Sequence, residues 1–271
     1  MEIFPSGVVR DLGVLFNENL DWQNHYSKLY VSSKQITGWI LNTFHSRDRE
    51  TMLTLFKALV RSRLEFCCEV WNPYLKKDIV LIERVQRWFT YKISGMKELN
   101  YWERLKELKL LSLQRRRERM ILIHVWKIKN GFYPNSAKFN FKFHNRTAAF
   151  RIVLRPLPRV RGKLLSLFEN SFIINAAKLW NSLPGALTCA ESLNSFVRQL
   201  KLYFSKIPDQ PPLPGYPFTN SNSLTEQCLR CWLQNCLYGN CVTQNPHMFR
   251  VCVQNCQCGI IPCCILSIIF A

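Results

Sequence analysis

Leu75-Lys76-Lys77-Asp78-Ile79-Val80-Leu81-Ile82-Glu83-Arg84-Val85-Gln86-Arg87-Trp88-Phe89-Thr90-Tyr91-Lys92-Ile93 is the stretch that decides the fold. At helical period, Leu75, Ile79, Ile82, Phe89 and Ile93 share one face, while Lys76, Arg84, Arg87 and Lys92 lie elsewhere. An amphipathic helix of this kind needs apolar partners, and the flanking sequence supplies them. Upstream, Trp22, Tyr26, Leu29, Ile36 and Ile40 recur at the same spacing, with Asp21 placed to cap the start. A second helix is expected after Ser46 as N-cap, with Asp48 and Glu50 in its first turn and Met52, Leu55, Phe56 and Leu59 turned inward. Downstream, Gly95 ends the central helix and a short helical piece spans Tyr101 to Leu108. Ser112 then caps a helix whose inner stripe is Leu113, Met120, Ile121, His124 and Ile128, with Arg117 on the same side. Asn130-Gly131 supplies its left-handed stop.

Working outward, Val8 to Phe16 is β-rich and broken by Gly13, which suggests a strand or tight hairpin. Two more helices fit Ser171 to Asn181 and Ser192 to Phe204. Residues 132–168 look irregular because Pro134, Pro156 and Pro158 discourage a long helix, and Asp209 to Pro217 reads as a linker. The expected class is mainly α, with a short β element at the N-terminus and an irregular Cys-rich tail. Five segments result: 1–20, 21–131, 132–168, 169–206, and 207–271, the last expected to be disordered.

Charge narrows the function. The 271 residues carry a net charge of +19 with a pI near 9.7. Arg119, Lys127, Lys129, Lys138, Lys142, Arg146, Arg151, Arg155, Arg159, Arg161 and Lys163 follow one another with no acid between Arg119 and Phe168. Like charges at this density repel unless solvated or matched by a polyanion, so nucleic acid is the expected partner. The bland alternative is a solvated basic loop without a fixed ligand. Arg115, Arg116 and Arg117 adjoin the run near a helix N-terminus, where cations are disfavoured. They therefore answer either to an external phosphate or to nearby carboxylates such as Glu118. No run of roughly twenty apolar residues is present, and Met1 to Pro5 lacks a signal-peptide pattern. An intracellular site, nucleus or cytoplasm, without a membrane partner, is expected.

Cysteine is uneven: nine of the twelve lie in the final 44 positions, which excludes a disulfide framework for the main body. Cys228, Cys231, His247 and Cys252 offer one tetrahedral zinc set. Six further tail cysteines compete with it, and the preferred expectation is an arbitrary uncharged tail without metal.

Val9-Arg10-Asp11-Leu12-Gly13-Val14-Leu15-Phe16 resembles the xDLGVxxD segment that follows the palm in jockey-like non-LTR retrotransposon reverse transcriptases. Leu55-Phe56-Lys57-Ala58-Leu59-Val60-Arg61-Ser62-Arg63-Leu64-Glu65-Phe66-Cys67 is similar to their LYKALVRPxLEYC. Val70 to Tyr74, Glu83 to Thr90, Leu105 to Leu108, Leu111 to Arg117, Leu179 to Pro184 and Leu193 to Phe196 continue in the family's order. Asn17 stands in place of the family's second aspartate, Phe56 and Phe66 in place of two tyrosines, and Ser62 in place of a proline. The resemblance implies a helical thumb-like bundle plus C-terminal extension, gripping RNA or an RNA–DNA template-primer by its backbone. It also implies that Leu12-Gly13 marks a remnant of the primer-grip region.

Polymerisation needs paired carboxylates on two metal ions. The five aspartates (Asp11, Asp21, Asp48, Asp78 and Asp209) include no adjacent pair, so the family's paired-aspartate motif, with its magnesium, is expected upstream of Met1. The chain is expected not to be an enzyme by itself. The competing expectation is a structural or interaction remnant, a pseudogene product without a specific ligand.

Overall fold

The computed structural model describes residues 7–133, 141–145, 150–153, 161–214, 222–225 and 227. The chain divides into two units: Met1–Arg117 with Asp209–Asn220, and Glu118–Pro208 with Ser221–Ala271. Both are mainly α, and among the described residues each holds one antiparallel hairpin. No helix among those residues is long and apolar enough to cross a membrane.

The first unit opens on β1 (Val8–Asp11) paired with β2 (Val14–Asn17), Asp11 opposite Val14. Leu12 and Gly13 between them both have positive φ, 43° and 91°, the two-residue turn whose twist suits a hairpin. In α1 (Gln23–Thr43) the apolar period buries Tyr26, Leu29 and Ile40, and Ser33 and Thr37 complete the inward face. Asp21 accepts from the Gln23 N–H at 3.0 Å, just ahead of the helix.

The start of α2 (Arg49–Leu55) departs from expectation. Asp48, not Ser46, is the N-cap and accepts from Thr51 N–H at 2.9 Å. A carboxylate answers the positive helix end better than a hydroxyl, and Ser46 is left to donate to Asp48. The inner stripe also shifts. Without a break, α2 passes through a π-helical stretch, Phe56–Arg61, into α3 (Ser62–Glu65). A π turn is underwound, so every fourth residue keeps facing inward. Met52, Phe56, Val60 and Leu64 are therefore buried, whereas Leu59 is 47% exposed.

Next come α4 (Cys68–Trp71), α5 (Lys76–Tyr91) and α6 (Tyr101–Glu107), the last opened by an Asn100–Glu103 capping box. α5 buries Ile79, Ile82, Val85 and Phe89 and packs against both α1 and α6. Leu75, at its entry, stays 41% exposed. α7 (Leu113–Lys129) starts in this unit with Ser112 as cap, whose Oγ accepts from Arg115 N–H at 3.0 Å.

Asp209 to Pro214 is packed structure, which corrects the expected linker. Asp209 accepts from both the N–H and the hydroxyl of Ser112 at 2.7 Å. Pro211 O accepts from Trp102 Nε1 at 3.1 Å, and Leu213 is buried. Proline lacks a donor but keeps its carbonyl and its apolar ring, so a Pro-rich stretch can dock as well as span.

In the second unit, α7 buries Ile121, Leu122, Val125 and Trp126. It ends as expected at Gly131 (φ 72°), where Phe132 N–H reaches Lys127 O and Gly131 N–H reaches Ile128 O. The supposedly irregular 132–168 segment contains a hairpin, β3 (Phe143–Asn145) with β4 (Phe150–Ile152), and the helix α8 (Lys163–Glu169). Proline excludes long helices without excluding short strands, which is why the segment looked featureless. α9 (Phe172–Asn181), α10 (Gly185–Thr188) and α11 (Leu193–Ser205) complete the unit, with α9 and α10 against β4. The two units divide at Arg117/Glu118, inside α7.

Candidate nucleic-acid interface

Most of the distinctive strings in the sequence serve as joints of the fold. Glu65 takes a bidentate guanidinium contact from Arg116, with Arg116 Nη2 at 2.8 Å from Oε2. Asn72 Oδ1 accepts from Arg117 Nε at 3.1 Å, and Trp71 Nε1 donates to Phe66 O. Glu83 receives the Leu113 N–H at 3.1 Å and the Tyr101 hydroxyl. Gln86 Nε2 donates to Leu111 O at 3.0 Å and to Tyr101 Oη at 3.1 Å.

In the second unit the Trp180-Asn181-Ser182-Leu183-Pro184 string clasps β4. Trp180 Nε1 donates to Phe150 O at 2.9 Å. The Asn181 amide accepts from Ile152 N–H at 2.8 Å and donates to Ile152 O at 2.9 Å, so a side chain completes the strand's ladder. Thr188 Oγ1 accepts from Phe150 N–H. Trp180 itself is fully buried beside Phe143 and Phe196.

Glu83 is the electrostatic pivot of the first unit. Burial pushes its carboxyl up to about 7, and the Tyr101 hydroxyl, the Arg117 charge and the Leu113 N–H only partly counter that. The folded state then holds this proton more tightly than the unfolded chain, whose value is the ordinary 4.5. Stability from this group is present at low pH and is lost as pH rises from 4.5 through about 7, a change of about 3 kcal/mol. Urea unfolding at pH 5 and pH 7.5 should show about 2 kcal/mol of that loss in the native chain and not in Glu83→Gln. Equal pH dependence in both would refute the assignment.

Part of the Glu83-to-Thr90 string, with Tyr91 just past it, takes no part in these joints. Arg84, Arg87, Trp88 and Tyr91 sit at i, i+3, i+4 and i+7 on α5, opposite its apolar stripe. With Tyr30 and Lys34 of α1 and Asn100, Tyr101 and Arg104 at α6, they line a concavity of about 500 Å³. Leu213 and Pro214 complete it. The lining holds four cations and four aromatic rings and no carboxylate. Lys34 Nζ lies 3.1 Å from the Trp88 ring centroid, and Lys92 Nζ lies within 6 Å of both the Trp88 and Tyr91 rings. Partial burial, with the Lys92 charge second, pulls the Lys34 ammonium below the ordinary lysine value. Arg104 is a fixed wall: its guanidinium donates to Leu99 O, Thr90 Oγ1 and Arg87 O. Among the described residues Arg84 and Arg87 have no ion-pair partner.

The basic residues singled out from sequence fare differently. Arg115 and Arg117 are each only 1% exposed and Arg116 is paired with Glu65, so this cluster faces the protein and not a solvent surface. The physical reason is the helix end: cations there need a carboxylate, and Glu65 provides one from within. Arg151 donates to Asn181 O and Leu183 O, where a cation suits the C-terminal end of α9. Lys129 donates to Thr188 O with Phe150 beneath it. Arg119 and Lys127 are half-buried, whereas Lys142 and Arg161 are exposed. Lys163 opens α8. Lys138, Arg146, Arg155 and Arg159 lie outside the described residues, as do Cys228, Cys231, His247 and Cys252. Among the described residues no three His, Cys, Asp or Glu side chains assemble as a metal site.

The chain is similar to an uncharacterized protein of Caenorhabditis elegans. The two are 24% identical over 185 residues, 63% of this chain and 93% of that protein. No family model and no solved structure matches. The α5 site was missed in the sequence because Arg84, Arg87 and Lys92 read as a plain solvated face. The available signal was the interleaving of Trp88 and Tyr91 with those cations at helical spacing.

Proposed function

We propose that this chain is the post-palm part, thumb and C-terminal extension, of a non-LTR retrotransposon reverse transcriptase. On this reading it binds RNA or an RNA–DNA duplex through phosphates and performs no chemistry itself. The observation that carries the binding is the concavity at Arg84, Arg87 and Lys34, where cations gather without a carboxylate in the lining. In the other arginine cluster Arg116 is paired with Glu65 and Arg115 and Arg117 are buried, so the charges at the concavity are the ones open to an outside anion. Four of the five aspartates have structural tasks: Asp21 and Asp48 at helix starts, Asp78 with Gln23, and Asp209 on Ser112. That supports a role in which the paired carboxylates and metal ions of synthesis belong to a separate palm.

Binding should weaken linearly with log salt, by roughly 0.7 to 0.9 decades of affinity per decade of salt for each phosphate neutralised. A filter-binding titration measures it. Weak binding that ignores ionic strength would overturn the proposal and leave a structural role.

A further inference from the structure

We infer that the α1–α5–α6 concavity takes a single unstacked nucleotide of a single strand. This rests on the nucleic-acid reading above and assigns one site its ligand. Phosphates of a single strand or a duplex can both meet the cations of this site, but only unpaired bases can also use its rings. Single strands are held differently, by bases stacked on aromatic or guanidinium planes with phosphates on nearby cations. The lining offers both: Tyr30, Trp88 and Tyr91 as rings, and Arg84, Arg87 and Lys34 as cations. Its volume, about 500 Å³, lies in the range of small-ligand sites and is far too small for a helix of paired strands.

The walls are also preset. The Tyr101 hydroxyl is committed to Glu83 and the Arg104 guanidinium to three main-chain and side-chain oxygens, while Lys34 lies against Trp88. A ligand entering such a site orders few side chains on arrival, which favours affinity. Tyr91 remains 40% exposed, so a base can reach it without displacing the core.

The test compares the full chain on a short single-stranded RNA, on the same RNA as a blunt duplex, and on heparin, all at one salt concentration. The single strand should bind more tightly than the duplex. Trp88→Leu and Tyr91→Leu should each lower single-strand affinity about tenfold while heparin binding holds. Because Tyr91 lies at the surface, its variant answers the objection that a Trp88 change merely unfolds the helix. If both variants bind the single strand as the native chain does, or lose heparin and RNA equally, the nucleotide site is refuted while polyanion binding stands. If the native chain binds none of the three, the functional reading falls and takes this inference with it.

Discussion

Reversing the charge at Arg84 and Arg87 together will weaken RNA binding by about a hundredfold and flatten the log-affinity against log-salt line by about 2. Both effects follow from losing two phosphate contacts and putting two carboxylates in their place. The helical spectrum should not change, because among the described residues neither guanidinium is spent on an ion pair within the fold. Only the main-chain carbonyl of Arg87 is used, by Arg104 and Thr90, and a substitution leaves it in place. The same reversal at Arg116 is a different experiment. It would set two carboxylates against each other at Glu65 and destabilise the first unit, so lost binding there would say nothing about the interface. If Arg84→Glu/Arg87→Glu keeps native affinity and slope, the polyanion site is elsewhere.

Trp180→Ala should produce the largest loss of stability, about 3 to 5 kcal/mol. The indole is fully buried against Phe143 and Phe196, and its N–H is the partner of Phe150 O. Alanine therefore opens a cavity and strips a carbonyl on β4 of its donor. Trp180→Phe narrows the difference, since it keeps a six-membered ring in the site but loses the donor and part of the indole volume, at a cost of about 1 to 3 kcal/mol. Denaturant unfolding followed by circular dichroism reads both. A loss below 1 kcal/mol for the alanine variant would mean that the clasp on β4 contributes little.

The helices of the first unit were legible because their apolar residues recur at 3.6-residue spacing and their ends carry recognisable caps. Where the structure departs from the pattern, the physical origins are separate. The apolar pattern points Leu59 inward because a π turn leaves no mark in it until the register past it is known. Ser46 and Asp48 both suit a cap, and which one acts depends on where the first turn closes. The β3–β4 hairpin is too short to show alternation, and both main-chain groups of Ile152 are paired by Asn181, 29 positions away, as no local pattern reveals. The candidate site suffered most. Charge density along the chain pointed to Arg115–Arg117, but density does not say which cations already have partners, and that is fixed by long-range contacts such as Glu65 with Arg116. Arg84 and Arg87 stood out only once the others had been accounted for.

The chain crosses between its two units three times, and this constrains how the molecule comes into being. The carboxylate that closes the start of α7 in the first unit is Asp209, which leaves the ribosome only after every helix from α8 to α11 has been made. At about 5 to 20 residues per second, the nascent first unit waits several seconds with Ser112 uncovered and with the places of Pro211 and Leu213 unfilled. Release of a chain that stops before Asp209 would therefore yield a protein lacking its latch, and chaperone dependence should be greatest in that interval of synthesis.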